Sequence, residues 1–83
     1  MSTYEKLLLK IMMGNQDKNV TFSELQKILE AFGFECRIKG DHFIYTKDEV
    51  DEIINIQPVR NKAKPYQVKQ VRNLIIKYKL GGF

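Results

Sequence analysis

Eighty-three residues, 43% of them hydrophobic, suit one folded domain spanning residues 1–83 and exclude a disordered tail. A chain this short buries only about 60% of the surface its unfolded form exposes, which excludes a deep active site and leaves a shallow one on a sheet or in a groove. The net charge is +4, but all ten acidic residues lie at or before Glu52, so the last 31 residues carry +7 and the first 52 carry −3. That asymmetry points to a polyanionic partner, nucleic acid first, against the plainer reading of a solvated lysine-rich helix.

The single cysteine, Cys36, cannot close an internal disulfide, and no Cys/His spacing resembles a zinc site, so neither a metal nor a cofactor is expected. The apolar run Leu7–Met13 is broken by Lys10, is too short to span a bilayer and is followed by no small-residue cleavage site. A cytoplasmic protein with no membrane association is the expectation.

In chain order, Tyr4, Leu7, Leu8, Ile11 and Met12 share one helical face over residues 3 to 13, and Gly14-Asn15 ends the pattern in a polar loop. Thr21-Phe22-Ser23-Glu24 is a capping box, opening a second helix whose apolar stripe is Phe22, Leu25, Ile28, Leu29 and Phe32. Gly33 stands where a left-handed C-cap would. The period then changes to two. Phe34, Cys36 and Ile38 alternate with Glu35, Arg37 and Lys39, which predicts a half-buried strand with Cys36 as a small core residue.

Gly40-Asp41 signals a tight turn into a second strand, His42 to Thr46. Lys47 to Asp51 reads as an acidic hairpin loop that should lie away from any nucleic-acid face, and a third strand from Glu52 to Gln57 stops at Pro58. Val59 to Lys64 is a basic loop without strong structure. Pro65 suits the first position of a last helix, with Val68, Val71, Ile75 and Tyr78 as its buried stripe, widened by Leu74 and Ile76. Lys69, Arg72 and Asn73 share another face of it. The predicted fold is α+β, α-α-β-β-β-α, a three-stranded antiparallel sheet with its helices on one face.

The sequence lacks a Gly-rich phosphate loop, a second histidine for a paired-imidazole mechanism, and any spacing suggestive of a serine triad. What remains is His42, the only histidine, among lysines, arginines and tyrosines. With an unperturbed pKa of about 6.5, an imidazole both accepts and donates protons near neutral pH. That set suits cleavage of RNA by its own 2′-hydroxyl, which needs a base, a cation for the phosphate and in-line geometry. His42 would be the base, Lys39, Lys47 or the basic loop at Arg60 would hold phosphate, and Tyr45 or Phe43 would stack an exposed base. The alternative is an ordinary polar histidine after a turn. Phe43 and Tyr45 could equally be core, because Ile44 on the other face is apolar too.

Gly40-Asp41-His42-Phe43-Ile44-Tyr45 on a second strand, an apolar third strand ending at Pro58, and the closing segment Tyr66–Tyr78 together resemble the HicA family over roughly residues 22 to 80. These are small mRNA-cleaving toxins of type II toxin–antitoxin pairs, whose usual motif is Gly-Ser-His, two variable residues and an aromatic. The resemblance implies a fold similar to a double-stranded-RNA-binding domain and metal-independent endoribonuclease activity dependent on His42. It also implies a HicB-type antitoxin that masks the site, with operator DNA bound only by the toxin–antitoxin complex. Gly40 carries over as the turn glycine and Tyr45 as the aromatic.

Two departures stand out. The family serine is Asp41 here, a negative charge that would either favour the protonated imidazole or repel the substrate. Residues 1–21 add a helix and loop that shorter members lack, to complete the core, lengthen an antitoxin interface, or do neither. Two other readings of the chain are a non-catalytic RNA-binding module on this fold and a protein-interaction domain whose basic helix docks an acidic partner.

Overall fold

A computed structural model describes residues 3–82. Its elements are α1 (Thr3–Met13), a 3₁₀ turn (Asp17–Asn19), α2 (Phe22–Ala31), β1 (Glu35–Lys39), β2 (His42–Lys47), β3 (Val50–Ile56) and α3 (Pro65–Lys77), closed by a second 3₁₀ turn (Leu80–Gly82). The three strands form an antiparallel sheet in the order β1-β2-β3. This is the predicted α-α-β-β-β-α order.

Local chemistry sets the helix ends. The Thr21 hydroxyl accepts from the Glu24 amide at 3.1 Å and the Glu24 carboxylate accepts from the Thr21 amide at 2.9 Å, a complete capping box. At the other end of α2, Gly33 takes φ +88°. Its amide donates to the Glu30 carbonyl and that of Phe34 donates to Leu29, which is the Schellman pattern. Only a residue without a Cβ enters that left-handed region at no cost. Pro65 occupies the first turn of α3, where its missing amide would have had no partner.

One core joins all three helices to one face of the sheet. Leu7, Leu8 and Ile11 of α1, Leu25, Ile28 and Leu29 of α2, and Val68, Val71 and Ile75 of α3 meet Tyr45, Ile54 and Ile56. The additional helix α1 therefore supplies core. Arg72 ties it down: the guanidinium donates to both Asp17 carboxylate oxygens, at 2.8 and 3.2 Å, and to the Ile11 carbonyl at 3.1 Å. Arg72, grouped in the sequence with Lys69 and Asn73 on another face of α3, is thus an internal strut.

Three other expectations are corrected. Cys36 and Ile38 do point to the helix side, since they pair with Tyr45 and Phe43, yet both are exposed. All of β1 is exposed because it is an edge strand that extends past the helix layer. Ile76 lies on the outer side of α3 at 55% exposure and does not widen the buried stripe. The segment expected to be an unstructured basic loop is instead a tight turn, in which Val59 and Lys62 exchange both backbone hydrogen bonds.

Candidate active site on the open face of the sheet

Register decides what His42 sees. Lys39 pairs with His42 across the Gly40-Asp41 turn, Arg37 pairs with Ile44, and Ile44 pairs with Asn55. Residues directly opposite one another share a face, so Arg37, Lys39, His42, Ile44 and Asn55 stand together on the side away from the helices. Phe43, Tyr45 and Lys47 alternate onto the helix side.

The imidazole is about half exposed and held at one nitrogen. Its Nδ1 is 3.0 Å from Asn55 Oδ1, and its Nε2 is 3.7 Å from Asp41 Oδ1. The second oxygen of Asp41 accepts a 2.6 Å hydrogen bond from Gln57 Nε2, just past the end of β3. The tight turn, in which Gly40 adopts φ +62°, lets Asp41 reach its sequence neighbour. A Cβ at Gly40 would meet nothing within 4 Å, so the backbone beside His42 lies open. The result is a shallow Asp41–His42–Asn55 row, open to a large substrate. Among the described residues no three His, Cys, Asp or Glu side chains stand together as a metal site would require.

Of the predicted phosphate contacts, Lys39 is the cross-strand neighbour of His42 and makes no ion pair among the described residues. Arg60 lies in the turn after β3, at the same end of the sheet. Its φ of +51° and the +66° of Asn61 mark a left-handed turn, and the Asn61 carbonyl accepts from the Phe22 amide at 2.9 Å, which fixes the turn to the start of α2. Arg60, Lys62, Lys64 and Lys18 surround a depression of about 510 Å³ floored by Val59, Ala63 and Pro65. Lys47 is not brought to the site. It sits five residues along β2, about 16 Å away at strand rise, and on the opposite face beside Gly33.

Tyr45, expected to offer a stacking ring, is fully buried. Burial pushes its phenol up to about 12, and among the described residues its hydroxyl makes no well-formed hydrogen bond, with the Gln26 and Cys36 side chains beside it. Of the two rings expected to stack a base, Phe43 is the one partly exposed, on the helix side of the sheet. It packs edge-on against Phe22 at 5.0 Å and lines a groove of about 540 Å³ with Thr21, Gln26, Pro58 and Asn61.

The basic excess is smaller than the sequence suggests. Arg72 is spent on Asp17, and Lys77 binds Glu52 at 2.9 Å. Sequence reasoning missed Asn55, Gln57 and Arg37. Arg37 was visible as the residue two before Lys39, on the same face. Asn55 was visible only as the one polar residue in Ile53-Ile54-Asn55-Ile56, a pattern silent about what lies beside it.

A family model described as the HicA toxin of bacterial toxin–antitoxin systems matches residues 22–78. The chain belongs to the HicA toxin family. The match begins at the first residue of α2 and ends just past α3, so it contains the whole sheet and the His42 row and leaves out α1. No curated protein and no solved structure matches the chain. As a HicA toxin, the protein is one half of a toxin–antitoxin pair and has an antitoxin as its partner. Among the described residues no helix is long and apolar enough to cross a membrane.

Proposed function

We propose that this HicA protein is a metal-independent endoribonuclease of the cytoplasm that cleaves mRNA, with His42 as general acid and base. The observation that carries the reading is the open-face row itself: the only imidazole of the chain, half exposed, beside the cation of Lys39, unpaired among the described residues. His42 Nε2 takes the proton of the 2′-hydroxyl as that oxygen bonds to phosphorus. The bond from phosphorus to the 5′-oxygen breaks, and the imidazolium returns a proton to that leaving oxygen. Products are a cyclic phosphate and a 5′-hydroxyl, with no net proton consumed. Lys39 and the Arg60 turn hold the flanking phosphates, and the exposed Gly40 backbone lets the strand approach. A well-placed base of this kind contributes on the order of 10²–10⁴ in rate.

The antitoxin on this reading is a HicB-type protein that covers the open sheet face, with operator DNA bound only by the complex. Residues 22–80 form the catalytic unit, and 1–21 its stabilising extension. Purified protein is expected to cut RNA in EDTA, and His42→Ala to lose that activity while keeping its fold. Undiminished cutting by His42→Ala ends the catalytic assignment.

One observation favours a second reading, a non-catalytic RNA-binding module. The Asp41 carboxylate, where the family has serine, stands 3.7 Å from Nε2 and repels a phosphate. That reading expects salt-sensitive RNA binding, unchanged in His42→Ala, and no cleavage products.

A further inference from the structure

The geometry points to Asn55 as a positioning residue that fixes the tautomer of His42, keeping Nδ1 protonated and Nε2 bare as the proton-accepting atom. This rests on the catalytic reading of His42 and assigns its reactive nitrogen. An amide oxygen only accepts, so the 3.0 Å contact between Asn55 Oδ1 and Nδ1 requires Nδ1 to donate. In the neutral ring the other nitrogen then carries the lone pair.

That nitrogen is the one turned toward Asp41. At 3.7 Å the carboxylate is too far to hydrogen-bond Nε2 directly, so the lone pair stays available to a hydroxyl entering from the open face. Once Nε2 has taken a proton, the same carboxylate faces a cation. Gln57 holds Asp41 in this position through the 2.6 Å bond to its second oxygen. The remaining charged neighbours on the face are Lys39, directly across the strand pair, and Arg37, diagonal to His42 beside Ile44.

Asn55 is suited to the task by its place in the sheet. It pairs with Ile44 in a central register and sits diagonally from His42, at the separation of about 7–8 Å that longer side chains bridge. Asn55 is exposed, so substituting it should leave the fold intact.

The test is long-range proton–nitrogen correlation NMR of the His42 ring above its titration range, on the full chain, with cleavage kinetics alongside. Wild type is expected to show a protonated Nδ1 and a bare Nε2. Asn55→Leu removes the acceptor and should return the ring to a mixture of tautomers, and Asn55→Asp should keep the wild-type pattern. In kinetics, Asn55→Leu should lower kcat on the order of tenfold with KM within about twofold, and Asn55→Asp should recover part of the loss. A protonated Nε2 in wild type, or a ring pattern unmoved by Asn55→Leu, overturns the proposal even if His42→Ala is inactive. Full activity of His42→Ala instead overturns the catalytic reading, and with it any catalytic role for Asn55, whatever the ring pattern shows.

Discussion

Removing the Arg72 guanidinium is the most direct test of how charge is used in this protein. Its side chain is 15% exposed and that of Asp17 is 19% exposed, so the pair is largely withdrawn from water. Two hydrogen bonds reach the carboxylate and a third reaches the carbonyl of Ile11, in the last turn of α1 where intrahelical donors run out. Arg72→Ala leaves a part-buried carboxylate and a helix-end carbonyl without this donor. Hydrogen bonds to charged groups contribute about 1.5–3 kcal/mol each and are not additive, so the expected loss is about 3 kcal/mol. For a domain of this size that lowers Tm by on the order of 12–24 °C. A double-mutant cycle with Asp17→Ala, followed by urea unfolding, should give a coupling of about 1–2 kcal/mol. On the proposed function, the salt dependence of RNA binding should not change at a temperature where the variant is folded, because this cation is occupied internally. A loss below about 1 kcal/mol would mean a solvated pair. A salt slope reduced by about one would place Arg72 on the RNA surface. Either result refutes the assignment.

Three further outcomes are expected. Tyr45→Phe removes a buried hydroxyl that makes no well-formed hydrogen bond among the described residues, so chemical denaturation should show stability unchanged or raised by about 1 kcal/mol, with RNA affinity unaltered. Arg60→Gly relieves a left-handed non-glycine residue while deleting a cation. Thermal melting should show stability unchanged or raised by up to about 1 kcal/mol, and the salt slope of RNA binding should fall by about one. For Glu24, burial pushes the carboxyl up, but the Thr21 amide and Lys10 together outweigh it and hold the group below its usual range. A carboxylate depressed in the folded state stabilises above its unfolded pKa, about 4.3, and loses that contribution as pH falls through the folded value. Glu52, depressed by the Tyr78 hydroxyl and Lys77, acts the same way. Melting temperature should therefore be level above about pH 5.5 and fall below about pH 4.5, less steeply in Glu24→Gln, which keeps the capping geometry.

Much of this architecture is legible in the chain because its signals are local. Thr21 and Glu24 lie three residues apart and cap α2 together; Gly33 ends that helix, Gly40-Asp41 turns the strand and Pro65 starts α3. The change of apolar period at Phe34 separates helices from sheet. Each feature is satisfied within a few residues, so its meaning survives without knowledge of the fold. His42 was recognisable for a similar reason: it is the only imidazole and it follows a turn glycine.

What the linear pattern left open was which face each side chain would take and what would stand beside it. Ile44 and Ile53 make the open face as apolar in sequence as the buried one, so alternation alone could not tell whether Tyr45 was core or surface. The helices settled it by covering Tyr45, Ile54 and Ile56, and β1, beyond their reach, kept Cys36 and Ile38 exposed. Arg72 and Asp17 are 55 residues apart, and His42 and Asn55 are 13 apart on different strands. Composition and local pattern by themselves determined the elements, their order and the one candidate for proton transfer. Only tertiary structure decided which cations remain free for a substrate and which residue grips the imidazole. Strand register and helix coverage are set by contacts distant in sequence, and no short window of the chain contains them.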